Sequence, residues 1–65
     1  MDSKEFLDSL VGKEVWIEFK DGANPKGVLV WNDLETIGVK YINESVYLYY
    51  KHSIRSIRVQ KSLNK

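Results

Sequence analysis

The sequence predicts a mostly β fold: a small, strongly curved five-stranded antiparallel barrel preceded by one N-terminal α-helix. Three observations support this. Apolar residues recur at helical spacing only near the N-terminus, short strand-like runs separated by turn residues fill the rest, and a glycine lies inside the second run. One helix followed by several short strands with tight turns is typical of a small barrel.

The predicted helix lies between Asp2 and Gly12. Asp2 is a candidate N-cap with Glu5 three residues later, as in a capping box, and Gly12 can end the helix. A helix of roughly nine residues is not stable alone in water. We therefore expect it to contact the sheet through Phe6 and Leu10. The apolar residues at helical spacing are Phe6, Leu7, Leu10 and Val11.

The first two strands are predicted on either side of a turn at Asp21 and Gly22. From Glu14 the period becomes two, with the core-facing positions at Val15, Ile17 and Phe19. Pro25 lacks an N–H group, so the return strand is expected over residues 26–31. Gly27 inside that strand indicates a bend or bulge that curls the sheet.

Three further strands complete the predicted sheet. They are expected over residues 36–41, 47–50 and 54–59. Lys51 and His52 lie between the last two strands with no Gly or Pro beside them, which predicts a short and well-ordered connection. Residues 60–65 have no apolar periodicity and are expected to be a flexible tail. The whole chain, residues 1–65, is predicted to be one domain.

Composition limits the classes of function. A 65-residue domain buries only about 60% of its unfolded surface, so oligomerisation is an expected source of stability. The chain has no cysteine and one histidine, which argues against disulfides, a metal site and any other cofactor. No set of nucleophile, base and orienting residue can be assembled, so no enzymatic activity is expected. No run approaches the roughly 20 apolar residues of a membrane span and the N-terminus does not read as a signal peptide, so we expect a cytoplasmic protein.

Charge is distributed unevenly although the net charge is only +1. Residues 1–39 contain four lysines and eight acidic residues, a net charge of −4. Residues 40–65 contain six basic residues and one glutamate, a net charge of +5. This asymmetry suggests a basic surface facing an anionic partner, although a basic tail would produce it too.

The segment Tyr50-Lys51-His52-Ser53-Ile54 resembles the Tyr-Lys-His-Ala-Ile-Ser signature of Hfq-type proteins in the Sm/LSm family. Taken alone, His52 would read as an ordinary surface residue. The similarity extends along most of the chain. The further matching positions are Phe6 and Leu7 in the helix, Gly22, Gly27, and Asp33 six residues after Gly27.

The resemblance implies an Sm-like barrel that assembles into a ring, commonly of six subunits. In such a ring the fourth strand of one subunit pairs with the fifth strand of the next. The residues themselves are consistent with this, because the last two strands would otherwise leave apolar, unpaired edges. The alternative is that these strands pair within a monomer.

The resemblance also implies a site for single-stranded, U-rich RNA around the central pore. The candidate RNA-binding residues are Tyr50, Lys51, His52, Asp33, Leu34 and Ser3. Repetition of Lys51 and His52 around one opening would focus positive potential on phosphate oxygens. No small-molecule substrate is expected.

Several positions depart from the family pattern. Glu35 replaces an aromatic residue that would stack on a base, and Ser3 lies near the position of a helix glutamine and offers a smaller hydrogen-bonding group. Glu18 replaces an aromatic residue on the opposite face, and Gly12 with Lys13 replaces an arginine patch on the rim. We therefore expect weaker or narrower RNA binding, centred on the pore. These acidic residues favour the alternative function of a structural ring or adaptor that binds protein.

Two other pairs of residues have open roles. Arg55 and Arg58 could bind phosphates, but pairing with Glu14 or Glu18 is favoured. Trp16 and Trp31 could be platforms for bases or packing contacts between subunits, and packing is favoured.

Overall fold

One antiparallel five-stranded sheet with a short N-terminal helix forms the fold. The computed structural model describes residues 3–59, with the backbone alone described at Ser3. The elements are α1 (Ser3–Asp8), β1 (Glu14–Phe19), β2 (Lys26–Asn32), β3 (Thr36–Lys40), β4 (Val46–Tyr50), a 3₁₀ turn (Lys51–Ser53) and β5 (Ile54–Val59). The mostly β prediction is confirmed. The predicted cap at Asp2 and the predicted tail over 60–65 lie outside the described residues.

The sheet is curved but open. Its strand order is β4-β3-β2-β1-β5, so β4 and β5 are consecutive in the chain and lie at opposite edges. In a flat five-stranded sheet these edges would be about 19 Å apart. The chain from Tyr50 to Ile54 can span only about 14 Å, so the sheet must curl to bring the strand ends together. Because β4 and β5 do not pair with each other, a closed barrel is not confirmed.

The core lies on the concave side of the sheet, where α1 and the turn after it cover one end. Val15 and Ile17 are fully buried, as their alternation predicts, and Phe19 is partly buried against them. The fully or nearly fully buried residues are Leu7, Leu10, Val15, Ile17, Leu29, Ile37 and Val39. Burial of this small apolar cluster is the main favourable contribution to folding.

The helix contacts the core differently from the prediction. Leu7 and Leu10 are buried, whereas Phe6 is 47% exposed. The reason is that α1 ends at Asp8 and the next turn is tighter, with the Leu10 N–H donating to the Leu7 carbonyl at 2.9 Å. Residues three apart share a face in such a turn, so Leu10 aligns with Leu7 instead of Phe6.

Gly27 permits close packing between strands. A Cβ atom at Gly27 would lie 2.5 Å from Cγ1 of buried Val39 and 3.0 Å from the Lys40 carbonyl oxygen. The irregularity in β2 lies between Leu29 and Trp31, where the pairing with β3 shifts. Gly27, which was predicted to bend β2, thus allows β2 and β3 to approach closely. The shift in register occurs two to four residues later in β2.

Candidate nucleic-acid interface

The turn Lys51–Ser53 connects the two edge strands, and we call it the connecting turn. The Lys51 N–H donates to the Glu35 carbonyl at 2.8 Å, and the Ser53 carbonyl accepts a hydrogen bond from the Lys20 N–H at 3.0 Å. The Ile54 N–H closes the turn on the Lys51 carbonyl. These hydrogen bonds connect the turn to the β1–β2 loop and to the β2–β3 turn, and they fix the position of its backbone.

Tyr50 and His52 form a stacked pair of rings on the surface. Their ring centroids are 5.8 Å apart and their planes differ by 20°. Tyr50 is 60% exposed and His52 is also exposed. Flat exposed rings can stack on an unpaired base, an interaction that contributes roughly 1–3 kcal/mol for each base.

Asp33 and Leu34 lie in the tight turn between β2 and β3. The Asp33 N–H donates to the Thr36 carbonyl at 2.9 Å, and Asp33 Oδ1 accepts from the Leu34 N–H at 2.7 Å. Since Thr36 pairs with Tyr50, this turn is adjacent to the connecting turn. Leu34 is 73% exposed and is available for an apolar contact.

Asn32 holds α1 against the same end of the sheet. Its Nδ2 donates to the Lys4 carbonyl at 3.1 Å and to Asp8 Oδ1 at 2.8 Å. Asp8 also forms an ion pair with Lys4 at 3.0 Å. The hydrogen bond from Asn32, and then that from Lys4, hold the pKa of Asp8 below its usual 3.8, and the charge of Lys51 acts in the same direction.

Five of the six candidate residues therefore meet at one end of the sheet. Tyr50, Lys51 and His52 lie beside Asp33 and Leu34 through the contacts between the two turns. The backbone of Ser3 begins α1, and its side chain lies outside what the structure describes.

Lys51 and His52 in the connecting turn have different surroundings. Lys51 is half-buried, and it is close enough to the Asp8 carboxylate to lower its pKa. His52 borders a depression of about 420 Å³ that Lys20 and Asp21 also line. Because Asp8 and Asp21 lie near Lys51 and Lys20, one copy of the chain offers little net attraction for phosphate.

Sequence reasoning missed the role of Asn32 and the surroundings of Trp16. Asn32 is the last residue of β2, and no local pattern indicates that its side chain contacts α1. The Trp16 ring has Lys26 Nζ at 5.2 Å and Arg58 Cζ at 5.6 Å from its centroid, because the three residues pair across neighbouring strands. The contact follows from the register of β1 with β2 and β5, which no local pattern in the sequence specifies.

The side chains of Arg55 and Arg58 in β5 contact residues of the neighbouring strand β1. Arg55 Nη1 lies 3.8 Å from Glu18 Oε2, as the pairing interpretation predicted, while Arg58 lies over Trp16. Ser56 also donates to Glu18 at 3.1 Å. Glu18 is therefore engaged by β5, and the outer face of β1 is not a free acidic surface.

Comparison with models of known protein families finds no match, and no curated protein matches the chain either. Membership of the Sm/LSm family thus stays a prediction from the residues given above. Among residues 3–59, no group of three or more His, Cys, Asp or Glu side chains is placed to hold a metal ion. No helix in that range is long and apolar enough to cross a membrane.

The position of Asn32 predicts an effect on the titration of Asp8. Because the folded-state pKa of Asp8 is lowered, its ionisation stabilises the fold above about pH 4, and this contribution is lost as pH falls through the lowered value. Asn32→Ala removes the first hydrogen bond, so the Asp8 pKa is expected to rise towards 3.8. NMR of the Asp8 carboxyl carbon over a range of pH measures the midpoint of the Asp8 titration. Asn43→Ala, in the β3–β4 loop, is the control, and an unchanged midpoint in Asn32→Ala would contradict the assignment.

Proposed function

We propose that this protein forms a ring and binds single-stranded, U-rich RNA through Tyr50, Lys51 and His52. The observation that supports this best is the place of the connecting turn, which joins the two edge strands of an open sheet. A contact that pairs β4 of one copy with β5 of the next repeats this turn in every subunit. One weakly basic turn then becomes a cluster of cations.

Edge pairing is supported by the exposure of β4. Val46, Tyr47, Leu48 and Tyr50 are each at least 52% exposed. Exposed apolar edge strands with free backbone groups readily pair with another chain. Because the two edges differ, the contact is head-to-tail, and such contacts either close into a ring or continue as a filament. The family resemblance favours closure with six subunits.

The connecting turn and the turn between β2 and β3 would make different contacts with the RNA. Lys51 would contact phosphate oxygens, and the stacked rings of Tyr50 and His52 would accept a base. Leu34, held by the Asp33 turn, would cover the edge of that base. Preference for uracil follows from the resemblance alone.

A structural ring or protein adaptor is the second candidate. Trp31 and Leu48 both pair with Gly38 in the sheet and so share its convex face, where they are 52% and 63% exposed. Glu35 adds negative charge next to the connecting turn. An exposed apolar face and reduced affinity for phosphate would suit a protein partner better than RNA.

Binding to oligo-U at two salt concentrations separates the two functions. For the RNA-binding ring, affinity should fall as salt rises, with a log–log slope of about −0.7 for each phosphate contacted. Oligo-A of equal length is the control for base preference, and it should bind more weakly. No binding to oligo-U at low salt would reject the RNA function in favour of the adaptor.

A further inference from the structure

Four aromatic side chains form a cleft on the concave side of the sheet, near the β1–β2 loop. The aromatic cleft is walled by Phe19, Tyr41, Tyr47 and Tyr49, with Asp21 and Pro25 also lining it. Its volume is about 620 Å³. This lies within the usual size range of small-molecule sites, which is roughly 300–1,000 Å³.

The rings are held in fixed relative positions. Phe19 and Tyr49 have centroids 4.7 Å apart, and Tyr41 meets Tyr47 edge-on at 5.5 Å. Tyr47 and Tyr49 are nearly parallel at 6.1 Å, and the hydroxyl groups of Tyr41 and Tyr49 share a hydrogen bond of 2.7 Å. The four rings therefore pack on one another as one cluster that borders the cleft.

The charge of the cleft favours a cation. Among residues 3–59, Asp21 is the only Asp, Glu, Lys, Arg or His residue that lines the cleft, and it forms no ion pair with another residue of that range. Burial, and then the hydrogen bond with Tyr49, raise the pKa of Tyr41, so this phenol stays neutral at physiological pH. The cleft thus combines one carboxylate with neutral aromatic faces, and it lacks the lysine or arginine that a phosphate group would need.

We propose that the aromatic cleft binds a small organic cation whose ammonium nitrogen is fully methylated. A cation over the face of Tyr or Phe is attracted by the ring quadrupole, and aromatic cages use this attraction for quaternary ammonium ligands. Methyl groups make the ion easier to remove from water than a primary ammonium, and they fill apolar space between the rings. All cleft residues belong to one subunit, so this proposal does not depend on the ring or on RNA.

Choline and its neutral isostere 3,3-dimethyl-1-butanol test the proposal directly. The two molecules have the same shape and differ in charge. NMR titration of the tyrosine ring protons in the full chain should show choline binding about ten-fold or more tightly than the neutral compound. Equal binding would show a merely apolar cleft and overturn the proposal. Uridine monophosphate displacing choline at lower concentration would also overturn it, because the cleft would then be a nucleotide site.

Asp21→Asn isolates the contribution of charge. Asp21 Oδ1 accepts a hydrogen bond from the Ala23 N–H at 3.0 Å, and asparagine keeps this acceptor, so the loop should fold as before. Choline affinity is expected to fall about five-fold, and affinity for the neutral compound should stay the same. Unchanged choline affinity would contradict a role for the carboxylate and overturn the proposed recognition.

Tyr47→Leu and Tyr50→Leu form a matched pair on β4. Tyr47 lines the cleft, whereas Tyr50 does not line it and lies beside the connecting turn. Tyr47→Leu should weaken choline binding about five-fold, and Tyr50→Leu should leave it unchanged. Tyr50→Leu should weaken oligo-U binding without changing choline binding, so failure of one proposal is distinguishable from failure of the other. Equal choline affinity in both variants would overturn the cleft proposal.

Discussion

Replacing Lys51 by alanine is expected to reduce oligo-U affinity by about 100-fold at low salt. In the proposed ring, one substitution would remove a cation from every copy. Exposed charge pairs contribute on the order of 0.5 kcal/mol each, so six of them account for about 3 kcal/mol, or roughly two powers of ten. The salt dependence should also become shallower, since fewer counterions are released when RNA binds.

The variant and its control can be compared by fluorescence anisotropy of labelled oligo-U at two salt concentrations. Alanine keeps the Lys51 backbone N–H that bonds Glu35, so the connecting turn should remain formed. Lys13→Ala is the matched control, because Lys13 is exposed in the segment between α1 and β1. Equal affinities for the Lys51 and Lys13 variants would contradict the proposed contact between Lys51 and RNA.

Ile17→Ala is expected to destabilise the fold by about 2–5 kcal/mol. Ile17 is fully buried in the centre of the core, opposite Ile57 of β5. A domain of this length has a free energy of unfolding of roughly 3–10 kcal/mol in total. One cavity can therefore remove half of the stability or more.

Urea unfolding followed by circular dichroism measures this loss at a fixed protein concentration, since the proposed assembly would add stability by mass action. Ile42→Ala makes the same chemical change at a fully exposed site, in the loop after β3. Its unfolding free energy should lie within about 0.5 kcal/mol of the original protein. A similar loss in both variants would mean that the buried cluster does not govern stability.

Local pattern was sufficient to predict most strands. The alternation at Val15 and Ile17 gave the buried face of β1, and Pro25 correctly marked the start of β2 at Lys26. Lys51 and His52 were expected between two strands, and they lie there because β-rich runs flank them without Gly or Pro. These features depend on residues that are close in the sequence, so they can be predicted from a single sequence.

Features that depend on distant residues were harder to predict. Closure of the sheet depends on the combined curvature of all five strands, and β4 and β5 do not pair with each other within the chain. The bond from Asn32 to α1 joins residues 24 and 28 positions apart. The aromatic cleft likewise combines β1, β4 and the end of β3, and no local spacing indicates that Phe19 lies beside Tyr49.

Native mass spectrometry of the full chain tests the central claim most directly, because a pore exists only if subunits assemble through their open edges. The account predicts one dominant species of about six times the 7.6 kDa subunit mass, persisting on dilution to low micromolar concentration. A species of 7.6 kDa at every concentration would contradict the account, since Lys51 and His52 would then have no shared axis.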